Sequence, residues 1–232
     1  MTVSVASYHD YWKCELQERP RPVRVPLRAW RQYFPAEAGR INNLEVIHEA
    51  EITIDGLTAL ATQLGHSQQD NRTLFVATMM WGRGPKNGRL MPKFLLATES
   101  PNFDAILRTT RESILAGQPG NAYRVWIESG VSGIREPFFT KWFFVCGLDT
   151  ARTGLQPFTL DGRVRNSLKA IGWPDAKETP GLRGQSAQFY DAYLRALVTW
   201  AEQLSQPGPD VSPLQVEQFL FRKNGAVPLT PR

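Results

Sequence analysis

The chain has little cysteine and little histidine, and this scarcity excludes several kinds of site. Its 232 residues include two cysteines and three histidines, which lie far apart. Two cysteines are too few for a disulfide framework, a four-thiolate zinc site or a four-cysteine iron–sulfur cluster. We therefore expect no metal or other cofactor, and a reducing, cytoplasmic location.

Long hydrophobic runs and nucleotide-binding patterns are missing as well. No apolar run approaches the roughly 20 residues that cross a bilayer, and the first residues lack a signal-peptide pattern. The GxGxxG and Walker patterns are absent, as is the alternation of strands and helices that builds a parallel sheet. These absences favour a mainly helical protein that does not contact membranes.

The composition is that of a folded protein with a basic surface. Hydrophobic residues make up 42% and charged residues 21%, and the net charge is +5. Cationic side chains cluster in three stretches: Arg19–Arg31, Arg83–Lys93 and Arg163–Lys169. The clustering favours a polyanionic partner such as DNA, although a basic enzyme without one has a similar net charge.

Apolar spacing and capping residues predict a chain of helices after a short β element. The β-branched residues between positions 44 and 54 favour strand. Helices are predicted over Leu27–Phe34, Asp55–Leu64, Asn71–Trp81, Phe103–Ala116, Asn121–Ser129, Pro137–Cys146, Ala187–Leu204 and Pro213–Arg222, with shorter ones over Tyr8–Gln17 and from Asp161. We expect residues 1–69 to pack as an N-terminal segment on a helical domain over 70–232, in one compact monomer.

One lysine in a hydrophobic stretch is the first candidate for chemistry. Lys141 is the charged residue within Pro137–Cys146. A helix that is apolar all round is normally buried, so the lysine must find a partner, extend to water or lose its proton. The pattern is compatible with an activated nucleophile and with a lysine at the edge of a buried helix.

Two further features flank this lysine in the sequence. The turn Gly130–Ile134 precedes its helix, and such a turn either binds a phosphate at a helix N-terminus or simply links two helices. Asp161 follows Lys141 by about twenty residues and begins another helix. Helix capping is the common role of such an aspartate, and catalysis is the rarer one.

A glycine turn, a helical lysine and an aspartate that starts a later helix together resemble the helix-hairpin-helix DNA glycosylases, in particular the 8-oxoguanine branch. The resemblance implies that Lys141 attacks the sugar carbon and that Asp161 stabilises the developing positive charge. It also implies double-stranded DNA as the partner. Two features depart from the family hairpin: Arg135 replaces its second glycine, and Gly133 lies eight residues before Lys141 rather than four.

Four segments are also similar to small bacterial proteins with an 8-oxoguanine glycosylase fold: Trp81–Gly88, Pro137–Gly147, Leu160–Leu168 and Phe219–Lys223. That group includes anti-phage enzymes that remove glucosylated 5-hydroxymethylcytosine from viral DNA. The resemblance implies such a modified cytosine as the substrate, with 8-oxoguanine repair, with or without AP lyase activity, as the alternative.

Base excision requires a flipped nucleotide, a wedge that fills the gap and a pocket for the base. The predicted contacts with DNA come from the loop Gly82–Arg89, the glycine turn and the Asp161 helix: Arg83, Lys86, Asn87, Arg89, Gly133, Arg163 and Arg165. Phe138, Phe139 and Trp142 are the predicted base-pocket residues, and Trp173, Phe219, Phe221, Arg222 and Lys223 are weaker candidates. The alternative for the cationic residues is that they lie on a solvated surface. The alternative for the aromatic residues is that they pack in the core.

Three hypotheses remain open from the residues. The first is a DNA glycosylase. The second is a helix-hairpin-helix module that binds DNA without catalysis. The third is a helical protein–protein adaptor, which would show no salt-dependent binding of DNA.

Overall fold

The computed structural model describes residues 16, 22–44, 47–48, 51–83, 91–173, 183–206 and 210–226. Eleven helices and three short strands lie within this part of the chain, so the predicted mainly helical class is confirmed. Packing divides the chain into a large unit, residues 20–157, and a small unit, residues 1–19 and 158–232. The predicted boundary between residues 69 and 70 stays a prediction.

The large unit contains the strands and the first eight helices. The strands are β1 Val23–Arg24, β2 Ile47–His48 and β3 Glu51–Ile52. The helices are α1 Leu27–Tyr33, α2 Pro35–Asn43, α3 Ile54–Gln63, α4 Gln68–Arg83, α5 Met91–Thr98, α6 Phe103–Leu115, α7 Pro119–Glu128 and α8 Glu136–Cys146. The small unit contains α9 Gly162–Ala170, α10 Arg183–Leu204 and α11 Pro213–Lys223.

A three-stranded antiparallel sheet confirms the β element predicted near the N-terminus. Its order is β1-β3-β2, and Ile52 in the central strand lies opposite Val23 on one side and Ile47 on the other. β-Branched side chains suit such a pleated surface, which explains why this short segment is extended. Ile52 is fully buried, so the small sheet belongs to the core of the large unit.

Helix α4 is the centre of the large unit, because it packs against α2, α3, α6 and α8. Its start differs from the predicted start at Asn71. The Ser67 hydroxyl donates to Asp70 Oδ2 at 2.6 Å and the Asp70 N–H donates to Ser67 Oγ at 3.1 Å. The helix therefore begins at Gln68, with Asp70 in its first turn. It also continues to Arg83, so Gly82 and Arg83 are helical rather than part of the predicted loop.

Other helix boundaries also differ from the sequence prediction. The predicted helix Leu27–Phe34 is present as α1, which ends at Tyr33. Pro35 then opens α2, since proline suits the first turn of a helix. Thr53, rather than Asp55, caps α3 by accepting a hydrogen bond from the Gly56 N–H at 2.9 Å. Helix α5 was not predicted. Tyr8–Gln17, apart from the helical Leu16, lies outside the described residues.

The small unit is built on α11, which packs against both α9 and α10. Val164 and Leu168 of α9 and Ile171, the residue that follows the helix, are buried. Ser212 caps α11 in a reciprocal capping box with Gln215. The two outer helices are thereby held on a well-defined central helix.

Candidate active site

The Lys141 helix, α8, begins where the sequence departs from the family hairpin. Arg135 is the extended residue before the helix, and Glu136 and Pro137 form its first turn. Proline is favoured there because its missing N–H has no intrahelical partner. The Thr140 hydroxyl donates to the Glu136 carbonyl at 2.7 Å. The unusual segment 135–139 therefore adds a helical turn in front of Lys141.

Aromatic packing buries α8, as its all-round hydrophobicity predicted. The Trp142 indole is fully buried and donates to Thr110 Oγ1 at 2.9 Å. Phe139 stacks on Trp126 with ring centroids 5.6 Å apart. Phe139 and Trp142 thus have the core role that was the alternative to a base pocket, and any contact of theirs with a flipped base stays a prediction.

Lys141 itself is half-buried at the boundary between α8 and α4. Its aliphatic chain crosses Gly82 of α4, so closely that a Cβ on that glycine would lie 2.7 Å from Lys141 Cδ. Its Nζ lies 5.8 Å from the centroid of the Phe138 ring. Phe138 is half-buried and is held edge-to-face by Phe94, at 5.1 Å between centroids. The ammonium therefore has a defined path past a glycine and onto an aromatic face.

The glycine turn before α8 is shaped by backbone packing. Gly130 and Gly133 have positive φ values of 70° and 91°. A Cβ on Gly133 would lie 2.6 Å from the carbonyl oxygen of Lys93 in α5. Glycine is thus required at position 133 for conformation and for space. Its predicted contact with a phosphate stays a prediction.

Asp161 is the N-cap of α9, as predicted, and is 8% exposed. Its Oδ1 accepts hydrogen bonds from the N–H groups of Arg163 at 2.9 Å and Val164 at 3.1 Å. Both bonds use the same oxygen, so capping does not engage Oδ2. The capping geometry is therefore compatible with a second role for the carboxylate.

Three buried side chains fix the segment that leads into Asp161. The Tyr190 hydroxyl donates to the Phe158 carbonyl at 2.7 Å, and the Tyr193 hydroxyl donates to the Thr159 carbonyl at 2.8 Å. The Thr159 hydroxyl donates to the carboxylate of Glu217 in α11. Burial, reinforced by the charge of Glu217, raises the pKa of Tyr193, so this phenol remains a donor at neutral pH.

The predicted DNA-contacting cations of α9 lie on aromatic rings. The guanidinium of Arg163, which is exposed, lies 4.6 Å from the Phe221 ring centroid, and that of Arg165 lies 4.6 Å from the Phe189 centroid. Among the weaker candidates, Phe219 is fully buried in the core and Trp173 packs on Phe189.

The structure describes only some of the remaining residues that are predicted to contact DNA. Lys86, Asn87 and Arg89 lie outside the described residues, and the backbone of Arg83 ends α4. Lys141 belongs to the large unit and Asp161 to the small one, so each is characterised within its own unit. Their joint action stays a prediction.

Two features of these surroundings were not found from the sequence. One is the contact of Gly82 with Lys141, which joins two helices far apart in the chain. The other is the set of Tyr190, Tyr193 and Glu217 around the approach to Asp161. A Trp-Gly pair at the end of an apolar helical pattern was the available signal for the first. Isolated tyrosines on a helix gave no signal for the second.

Neither a metal-binding cluster nor a membrane-spanning helix is found among the described residues. Among them, no three His, Cys, Asp or Glu side chains lie close enough together to hold a metal ion. None of the helices in this part of the chain has the length and hydrophobicity required to cross a bilayer. The expectations of no cofactor and of a cytoplasmic location stay expectations.

A helical fold with a lysine on an aromatic-packed helix and an aspartate at a later helix start is what the resemblance to the helix-hairpin-helix DNA glycosylases implies. Residues 17–221 match the family described as "Putative 8-oxoguanine DNA glycosylase OGG-like protein". The match covers most of the chain, and the protein belongs to this family. Membership supports a DNA glycosylase, and hence DNA binding, at the level of the family. Searches of the curated proteins and of the solved structures each found no significant match.

Proposed function

We propose that the protein is a DNA glycosylase that excises a modified base, with Lys141 as the nucleophile and Asp161 as the charge-stabilising carboxylate. The observation that carries the proposal is the family match, because residues 17–221 include both side chains. The surroundings of each support it: Lys141 extends past Gly82 to the Phe138 ring, and Asp161 has an oxygen outside the capping bonds.

The proposed reaction begins with the unprotonated amine of Lys141. Its nitrogen forms a bond to C1′ of the flipped nucleotide, and the C1′–N bond to the base breaks with its electron pair leaving on the base. Asp161 stabilises the oxocarbenium-like transition state through its negative charge. The proton lost from the lysine nitrogen balances the proton taken up by the departing base. The C1′–O4′ bond of this adduct then breaks as the remaining proton on the lysine nitrogen passes to O4′, which gives a Schiff base. Addition of water to the Schiff base regenerates the lysine and leaves an abasic site.

For the substrate we propose a modified cytosine of phage DNA, glucosylated 5-hydroxymethylcytosine, with a role in anti-phage defence. The similarity of four segments to bacterial anti-phage glycosylases supports this choice. The family description favours 8-oxoguanine instead, which makes repair of oxidised guanine the second candidate. Strand cleavage would accompany either activity if the Schiff base persists long enough for β-elimination.

DNA contact is proposed for the cationic residues predicted from the sequence, and Arg163 is the best placed of those that the structure describes. It is exposed and lies in the first turn of α9, two residues after Asp161, the N-cap of that helix. Its stack on Phe221 limits the orientations of the guanidinium. Neutralising it should weaken binding to DNA and reduce the salt dependence of that binding by about one ion.

A substrate panel tests the proposal. The protein is incubated with phage DNA that carries glucosylated 5-hydroxymethylcytosine, with the same DNA lacking glucose, and with an 8-oxoguanine duplex. Abasic sites are then counted with an aldehyde-reactive probe, and Lys141→Gln is the control. Abasic sites in the glucosylated DNA alone are expected. Sites in the 8-oxoguanine duplex alone would favour repair, and salt-dependent binding without any abasic product would favour the non-catalytic module.

A further inference from the structure

We infer that Gly82 is a positioning residue for Lys141: the absence of a side chain at position 82 sets the path of the lysine toward its target. The inference rests on the proposed function of Lys141 and deepens it. Gly82 has no chemistry of its own, and its contribution is the space that it leaves at the surface of α4.

Among the residues that the structure describes, Lys141 is the one whose atoms lie nearest to this space. A Cβ built on Gly82 would meet Cδ of Lys141 at 2.7 Å, Cε at 3.5 Å and Cγ at 4.0 Å. These are the three nearest atoms, and all belong to the lysine chain. Gly82 has a helical φ, so it is not required by the backbone conformation. The lysine chain is what a side chain at position 82 would displace.

The two helices cannot easily move apart to admit a Cβ. Trp81, the neighbour of Gly82, stacks on Phe144 of α8 with centroids 5.7 Å apart and planes at 24°. Phe144 lies almost one turn beyond Lys141, so this stack fixes α4 against α8 at the position of the contact. The lysine chain is flexible by comparison. An alanine at position 82 should therefore move the lysine and leave the helices in place.

The expected displacement is large enough to affect catalysis. Carbon atoms pack at about 3.5–4.0 Å, so Cδ must move by about 1 Å. Misplacement of a reacting group by about 1 Å lowers rates by up to about a hundredfold. We expect Gly82→Ala to lower the single-turnover rate of base release by about 10- to 100-fold, with the Kd for DNA unchanged within about twofold.

The control is Gly39→Ala. Gly39 is likewise a helical glycine of the large unit, in α2, but a Cβ there would meet no atom of the described part of the chain within 4 Å. Alanine is the better helix former, so this variant should have normal activity and a slightly higher Tm. A drop in rate for both alanine variants would overturn the inference, because it would show a general effect of the substitution.

A thermal double-mutant cycle tests the contact without any substrate. Gly82→Ala is measured in the wild-type protein and in Lys141→Ala, where the atoms that the Cβ would meet are gone. We expect a lower Tm than for Gly39→Ala in the first background, and an increase like that of Gly39→Ala in the second. An equal increase in Tm in both backgrounds would show that the contact between Gly82 and Lys141 does not form, and would overturn the inference.

The two measurements separate the possible failures. An unchanged rate of base release in Gly82→Ala, with the coupling present in the thermal cycle, would refute the positioning role. A wild-type protein that releases no base from any DNA of the panel would refute the proposed function and the inference with it. The thermal cycle distinguishes that result from a contact that does not form.

Discussion

Replacing Asp161 separates its capping role from its proposed catalytic role. Asparagine retains a side-chain oxygen for the N–H groups of Arg163 and Val164, whereas alanine loses both hydrogen bonds. Asparagine and aspartate are similarly good N-caps, and loss of a cap to alanine costs about 0.5–2 kcal/mol. Loss of the negative charge at the helix N-terminus costs about 0.3–1 kcal/mol more.

The expected pattern follows from these magnitudes. The free energy of unfolding of Asp161→Asn should lie within about 1 kcal/mol of the wild-type value, and that of Asp161→Ala should be lower by about 1–3 kcal/mol. Both should lose base-excision activity by about 10²- to 10⁴-fold, because neither carries the charge that stabilises the transition state. Activity thus follows the charge, and stability follows the cap.

Urea unfolding and single-turnover base release measure the two quantities on the same preparations. Ser212→Ala is the matched control, since Ser212 caps α11 in the same unit and has no proposed role in catalysis. It should lose about 1 kcal/mol and keep the wild-type rate. Full activity in Asp161→Asn would contradict the catalytic role of the charge. A loss of activity in Ser212→Ala as large as that in Asp161→Ala would contradict it too.

Three further predictions concern the large unit. Arg111 is fully buried and donates hydrogen bonds to three backbone carbonyls near the end of α3 and, at 3.4 Å, to Asp149. Arg111→Met should lower the free energy of unfolding in urea by about 3–5 kcal/mol. A loss below about 1 kcal/mol would contradict this structural role. Burial raises the pKa of the Cys146 thiol. In a Cys14→Ser variant the native protein should therefore not react with maleimide at pH 8. Rapid labelling of Cys146 would contradict its burial. Hydrogen bonds, above all the one from the Ser67 side chain, lower the pKa of Asp70. The free energy of unfolding should therefore be higher for the wild type than for Asp70→Asn at neutral pH, and this difference should disappear in acid below the ordinary aspartate pKa of about 4. A constant difference in free energy from pH 7 to pH 2 would contradict the prediction.

Local signals predicted much of the fold. The burial of α8 follows from its unbroken hydrophobicity, and the start of α9 follows from an aspartate before a regular apolar pattern. Errors arose where one residue type has two roles. Pro35 ends one helix and also starts the next, and Thr53 and Asp55 are both acceptable caps for α3. The choice between such alternatives depends on packing rather than on local propensity.

The candidate site was predictable as residues but not as an arrangement. Lys141 stands out because a charge in an apolar helix is costly, and Asp161 because of its place before α9. The contact between Gly82 and Lys141 joins residues on α4 and α8, and the anchors of the Asp161 segment come from α10 and α11. Contacts between distant segments follow from the folded topology, so periodicity and capping rules do not reveal them.

Borohydride trapping shows whether Lys141 is the nucleophile of a DNA glycosylase, because it captures the covalent bond between the amine and C1′. The protein is incubated, in the presence of borohydride, with DNA that carries the substrate base. The covalent product is then digested, and the modified peptide is sequenced by mass spectrometry. A reduced adduct on Lys141 is expected, and no adduct with Lys141→Gln. An adduct on another lysine, or a Lys141→Gln variant that excises the base at the wild-type rate, would contradict this role of Lys141.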